Sequence, residues 1–496
     1  MASRERVFYQ FLTAWAVLRL WVLPIRSSFW LDETGTYWII KDGLANAFVR
    51  AIHWSGQSPL YYLIAGLAHL AGGPTEVILR LPSLIAMIAA AWLLYKLAER
   101  LFDAETATLA VLVFACSEWV AFEAADARPY ALALFLLIAS AWMLVRWLDS
   151  GRPLYAAGYV LLAAVTIYAH VLMAIALAGH GIYALYRSRE GVVKHAALPA
   201  AWTAAAGLSL PLVPHLLVLF RTRGSHAFAG APNVSEFLAS IAPPLLAAPV
   251  ALGLLIGWLG APRGSLERGR NIVAPKESVI LAAAWALLPL TTLYLFSVLT
   301  RSDLFQPRYY VSAAPGLALL FGWWLRAAAT APARALAAAL LVICGSHSFG
   351  ALQHGDEDWR GAMAKVRALT AGGDTPVLVA SGFLEATNPD ALTIPGLREV
   401  LFSPLALYPA GGKLIRLPMR LDEKSTPYLE TIVATDLQYR TRFILVCVSQ
   451  QRIAYNLWLL GRLAVASQGF RSEIQGNFGD VGVFLFSRRP TPRPDP

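Results

Sequence analysis

The chain has 496 residues, 57% of them apolar and only 15% charged, with a mean hydropathy of +0.54 and a net charge of +10. A water-soluble globular protein rarely sustains that composition over such a length, so the chain reads as a polytopic membrane protein. The positive balance does not point to nucleic acid, because Lys and Arg fall between apolar segments rather than on one basic stripe; Cys116, Cys344 and Cys447 imply neither a disulfide framework nor a metal site.

The N-terminus has the positive flank of a signal peptide but no small-x-small cleavage site after its apolar run, so it is read as a retained first transmembrane helix. Apolar runs long enough for the ~30 Å hydrocarbon core lie at 7–25, 79–100, 105–122, 128–148, 154–170, 171–187, 196–220, 236–260, 277–300, 309–327 and 332–350, which makes eleven spans. The run SPLYYLIAGLAHLAG, 58–72, is shorter and carries His69. Treating it as an interfacial helix makes every inside loop basic: Arg4 and Arg6, Lys96 and Arg100, Arg146 and Arg152, Arg187, Arg189 and Lys194, Arg263, Arg268, Arg270 and Lys276, then Arg326 and Arg334. The expected topology is therefore N-terminus inside, C-terminus outside.

After about residue 351 the composition changes, and the β-like runs PVLVASG, RFILVCVS and VGVFLFS alternate with the helical patterns EDWRGAMAKVRAL and QQRIAYNLWLLGRLA. The expected organisation is a mainly α membrane bundle over 1–350, an extracytoplasmic α/β domain over 351–488 and a Pro-rich disordered tail over 489–496.

On this topology one face collects Asp32 and Glu33, Arg80, then Glu123, Asp126 and Arg128, then Arg221 and Arg223, and finally Arg301, Asp303 and Arg308. Ionisable groups near a bilayer are costly to desolvate, which makes them functional candidates; the bland alternative is that each is simply hydrated. Asp32 lies between Trp30 and the pair Tyr37 and Trp38, residue types of a headgroup-level aromatic belt, where partial burial suits a general base. Glu33 reads as its orienter or as a helix N-terminal acid favoured by the dipole. Arg128 and Arg308 suit bidentate phosphate recognition, against the alternative of arginines snorkelling to headgroups.

The ordered set LDE, SPLYYL, ILRLPS, ARPYAL, YAH, PRYYVSAAPGLALL and EDWRGAMAKV resembles membrane glycosyltransferases of the GT-C fold, and among these the bacterial relatives of protein O-mannosyltransferases and of the lipid A aminoarabinose transferase. The resemblance covers roughly residues 7–370. It implies a GT-C helical bundle in the cytoplasmic membrane of a bacterium, a sugar donor linked to a polyprenyl phosphate, and a glycan, lipid or protein acceptor. Asp32 matches the leading aspartate of the family's acidic motif, and Asp126 matches the acid before RPY, with Glu123 less well aligned. Where relatives often have His-Pro-Pro-Leu, this chain has Gln57-Ser58-Pro59-Leu60; His53 lies one helical turn earlier.

The expected chemistry has Asp32 as general base with Glu33 and Asp126 in the catalytic group, while Arg128 and Arg308, joined by Arg80 and Tyr309, stabilise the departing phosphate. Glu123, His53, Tyr130, Arg221 and Arg301 are acceptor-side or secondary candidates. No cofactor is expected, since arginines suffice for one phosphate; Asp32, Glu33 and Asp126 offer oxygens to a divalent cation, but no spaced ligand set implies one. The rival class, a transporter or flippase of lipid-linked sugars, commonly shows repeated halves and broken midplane helices, and neither is evident here.

Overall fold

In the computed structural model the described residues are 3–53, 59–189, 191–221, 231–260, 274–302, 304–327, 330–348, 350, 352–370, 373–437, 439–448, 451–467 and 469–488. The expected tail 489–496, Gln57, Ser58, Asp303, Arg223, the loop arginines 263, 268 and 270, and the side chain of Arg221 lie outside them. The chain forms two compact units, Met1–Arg26 with Asp42–Leu352, and Ser27–Lys41 with Gln353–Pro496. The sequence draws one boundary, after residue 350; packing draws it after Leu352 and adds Ser27–Lys41, which contains the acidic motif, to the C-terminal unit.

The first unit is a mainly α bundle, and each of the eleven apolar intervals is helical. Among the described residues five helices are long and apolar enough to cross a membrane: Arg4–Arg26, Glu76–Leu101, Tyr130–Ser150, Ala197–Leu217 and Lys276–Thr300. Up to seven do so if two bent pairs each count as one span, Ala104–Cys116 with Glu118–Ala124 at 69° and Val234–Ile241 with Pro244–Leu259 at 55°. Both bends have local causes. Ser117 takes an extended conformation, and Pro243 and Pro244 stand between the second pair. Leu60–Gly72, with 13 residues, is too short for a ~30 Å core at ~1.5 Å per residue.

Small residues let the helices approach closely. A methyl group at Gly316 would overlap the backbone of Ala282 and Ala286, and one at Gly322 would overlap Ala110. Charged groups at the helix ends tie together loops that the charge pattern assigns to one side. Asp149 accepts from Arg100 and Arg187 at 2.9 Å each; Arg326 meets Asp103 at 3.0 Å and Glu105 at 3.2 Å, and Arg334 meets Glu5 at 3.3 Å. Each of these pairs joins two loops that the charge pattern assigns to the same side.

The second unit is built on a five-stranded sheet in the order β2-β1-β3-β5-β4. The strands are β1 (Pro376–Ala380), β2 (Lys413–Leu417), β3 (Arg442–Val448), β4 (Phe470–Phe478) and β5 (Val481–Arg488). β1 pairs in parallel with β2 and β3, and β5 runs antiparallel to β3 and β4. The runs PVLVASG, RFILVCVS and VGVFLFS become β1, β3 and β5, and the two helical patterns become Trp359–Thr370 and Arg452–Ser467. β1 is buried along its whole length, as its unalternating apolar run demands of an interior parallel strand. β2 and edge strand β4 were not legible, because KLIRL is short and FRSEIQGNF is largely polar. Gly479, at φ 59°, turns β4 into β5.

Ser27–Lys41 packs where the parallel strands end. Leu31, Trp359, Val379–Gly382, Leu401, Phe402, Pro404 and Leu405 form one apolar seat. In open parallel sheets ligands usually dock beyond the strand carboxyl ends where the strand order reverses. Here β1 lies between β2 and β3, and Leu31 takes that place.

Candidate functional site

Two groups of candidate residues emerge, one in each unit. In the C-terminal unit the helix Leu31–Ile40 carries Asp32 and Glu33 in its first turn. Glu33 is 0% exposed, and its Oε2 accepts from the Trp30 N–H at 3.3 Å. This is the reciprocal arm of a capping box, and it satisfies one of the donors that a helix start leaves open. Asp32 is partly exposed at the positive end of the helix dipole. A third acid, missed in the sequence, joins them: the Glu357 carboxylate accepts from the Leu31 N–H, and its Oε2 accepts from Trp359 Nε1 at 2.6 Å. Burial pushes the Glu357 carboxyl up to about 7, the Trp359 bond opposes that, and the neighbouring Asp32 and Asp480 charges add to it.

In the membrane unit, segments far apart in sequence bring together arginines and aromatic rings. Arg128 precedes Pro129, at the N-cap of Tyr130–Ser150, and its Nη1 donates to the Tyr62 hydroxyl at 3.4 Å. The Ser83 hydroxyl donates to the Arg128 carbonyl at 3.3 Å and shares a 2.8 Å bond with the Tyr61 hydroxyl. Arg308 lies over the Tyr309 ring at 5.1 Å. His170, in the break between Pro153–Ala169 and Met173–Arg187, has its ring 4.8 Å from Tyr130 and 6.3 Å from Tyr309. Both Arg128 and Arg308 are within Coulombic reach of the Tyr130 hydroxyl and of His170. The Tyr130 hydroxyl and His170 Nδ1 are buried and have no hydrogen-bond partner among the described residues. Two cations with unused polar valences beside them are suited to an anionic oxygen ligand.

Glu123 and Asp126 are 2% and 1% exposed, at and just beyond the end of Glu118–Ala124, and Glu123 is also within Coulombic reach of Tyr130. Arg80 is 0% exposed; its Nη1 donates to the carbonyls of Pro24 at 3.3 Å and Ile25 at 3.2 Å, holding the end of the first helical run. Those two bonds tie Arg80 to the end of that run. His53 is exposed, with Nδ1 2.8 Å from the Val49 carbonyl. Arg301 is exposed in a left-handed conformation, φ 52°, at the end of Lys276–Thr300. The YAH, SPLYYL and ILRLPS fragments carried His170, Tyr61, Tyr62 and Ser83, but only the folded chain assigns them neighbours.

An α-helical membrane bundle of this connectivity followed by a small α/β unit is the GT-C fold. ArnT from Cupriavidus metallidurans bound to undecaprenyl phosphate superimposes over 98% of this chain and 98% of its own length, with a TM-score of 0.55 at 13% identity. The same protein in the apo state covers 97% and 98%, with a TM-score of 0.54 at 13% identity. The Archaeoglobus fulgidus oligosaccharyltransferase tethered with an acceptor peptide matches 97% of this chain and 74% of its own, with a TM-score of 0.51 at 12% identity. Residues 57–217 match the family model of dolichyl-phosphate-mannose-protein mannosyltransferases. No curated protein sequence matches.

Proposed function

We propose that this chain is a glycosyltransferase that moves a sugar from a polyprenyl-phosphate donor to an acceptor hydroxyl at the extracytoplasmic face of a bacterial cytoplasmic membrane. The observation that carries the reading is the convergence of Arg128 and Arg308 on Tyr130 and His170, from segments separated by some 180 residues. The mannosyltransferase match over 57–217 supports the donor class, as does the undecaprenyl phosphate bound by ArnT, which shares this fold.

In this reading the acceptor O–H loses its proton to the Asp32 carboxylate as its oxygen bonds to the anomeric carbon. The bond from that carbon to the phosphate oxygen breaks, and its electron pair leaves with the lipid phosphate. The phosphate gains one negative charge, which Arg128 and Arg308 neutralise, with Tyr130 and Tyr309 beside them. Glu33 holds the start of the helix that presents the base, Asp126 belongs with Asp32 and Glu33 to the catalytic group, Glu123 is an acceptor-side or secondary acid, and Arg221 is a secondary cation. The acceptor is a glycan, lipid or protein hydroxyl.

The decisive experiment incubates purified protein in liposomes with a radiolabelled polyprenyl-phosphate sugar and membrane extract from a deletion strain. Covalent transfer to an extract component, absent with Asp32→Asn, is expected. Movement of the labelled lipid between leaflets with no covalent product would replace the transferase reading with the flippase one.

A further inference from the structure

The contacts within the C-terminal unit point to what it does. Leu31 fills the apolar seat beyond β1, so closely that a methyl group at Gly382 would strike it. Gly355, at φ 69°, gives the same close approach to the Trp30 ring. Polar bonds surround these contacts. The Phe29 N–H donates to the Tyr408 hydroxyl at 3.1 Å, Thr34 and Ser403 share a hydroxyl–hydroxyl bond of 2.9 Å, and the Arg360 and His354 N–H groups donate to Ser28 and Ser27 at 3.1 and 3.2 Å. The Leu31 N–H, one residue before Asp32, is held by the Glu357 carboxylate, itself fixed by Trp359.

We propose that Glu357 is a positioning residue that fixes the Asp32 helix, and that the C-terminal unit serves to hold the catalytic base. The proposal rests on the reading of Asp32 as that base. Leu31 is pinned on the near side of Asp32 and Thr34 two residues beyond it, so the backbone that aims the Asp32 carboxylate is defined by groups of the C-terminal unit. The strand-end crevice that would receive a small ligand in an open α/β sheet is filled by Leu31, which argues for a holder over a separate ligand-binding module. Glu357 touches no reacting atom in this scheme. It acts through the helix, as second-layer groups do when they keep a catalytic side chain in line.

The test uses the full-length protein in detergent, with three variants. Glu357→Gln keeps an acceptor oxygen for the Leu31 N–H and should retain sugar transfer within about 3-fold of wild type. Glu357→Leu removes the acceptor and should lower kcat about 10–100-fold, the scale of a catalytic group misplaced by an ångström, while the donor KM changes less than about 2-fold. Tyr408→Phe, which unlatches Phe29, should lower kcat in the same sense and decides the matter if Glu357→Leu does not fold. Hydrogen exchange over residues 29–36 is the second readout: protection should fall in Glu357→Leu and Tyr408→Phe but not in Asp32→Asn. Full kcat in both disrupted variants, a rise in donor KM matching the loss of kcat/KM, or unchanged protection would overturn the proposal. If wild-type protein transfers no sugar, the enzyme reading fails by itself, and the exchange data still report whether Glu357 holds the helix.

Discussion

The raised carboxyl of Glu357 gives the chain a pH-dependent stability whose sign runs opposite to that of most acids. Burial lifts this group from the ordinary 4.5 to about 7, so the folded chain binds the proton more tightly than the unfolded chain does. The resulting stabilisation is fully present below pH 4.5 and is lost as pH rises through 7. At about 1.36 kcal/mol per pH unit the full effect is roughly 3 kcal/mol, trimmed to about 2–3 kcal/mol because the side chain keeps some exposure. Glu357→Gln stays neutral throughout and can accept from Leu31 and Trp359, so it should match wild type near pH 5 and become the more stable protein by pH 8. For a unit of this size the gap corresponds to about 4–12 °C in Tm. Scanning fluorimetry of the two full-length proteins between pH 4.5 and 8.5 measures it. Parallel pH curves, or a wild type that gains on Glu357→Gln toward high pH, would refute the reasoning, including the placement of a buried acid beside Asp32.

Asp32→Asn should lower sugar transfer about 10²–10⁴-fold at unchanged thermal stability, the usual loss when a general base is removed; near-normal turnover together with a dead Asp126→Asn would move the base to Asp126. Arg308→Lys keeps the charge but not the planar fork, so steady-state assays should show an appreciable loss of donor use, with Arg308→Ala worse; three equal activities would leave Arg308 as a headgroup contact. A periplasm-active reporter fused after residue 351 should be active and a cytoplasm-active one silent, since the charge pattern assigns the basic loops to the inside. Treatment with EDTA should leave transfer unchanged if arginines alone neutralise the phosphate, whereas loss that Mg²⁺ or Zn²⁺ restores would assign a cation to the acids.

Much of the fold could be read from composition because membrane helices carry their signal in one continuous apolar stretch, as Glu76–Leu101 and Lys276–Thr300 do. Weaker signals mark the losses. β2 and β4 lacked an apolar run, and the bends at Ser117 and Pro243 divide intervals that hydropathy reads as single spans. Arg128, Arg308, Tyr130 and Tyr309 were nominated one by one, and their assembly around His170 depends on tertiary packing that no local pattern encodes. Arg80 was nominated in the same way, and its bonds to the Pro24 and Ile25 carbonyls, 56 and 55 residues away, had no local signal. Glu357 was hidden because its partner is the N–H of Leu31, more than 300 residues earlier in the chain.

That long separation bears on how the protein is made. The acidic helix is the first segment to emerge beyond the first span, yet Thr34 waits 369 residues for Ser403 and Phe29 waits 379 for Tyr408. At ribosomal rates of about 5–20 residues per second the delay is roughly 20–75 s. During that time the rest of the membrane unit is made while the acidic helix lacks these two partners. A chain interrupted before Ser403 would therefore carry the complete acidic motif without these two partners. The start of the acidic helix is thus among the first parts of the chain to be made and among the last to gain its partners.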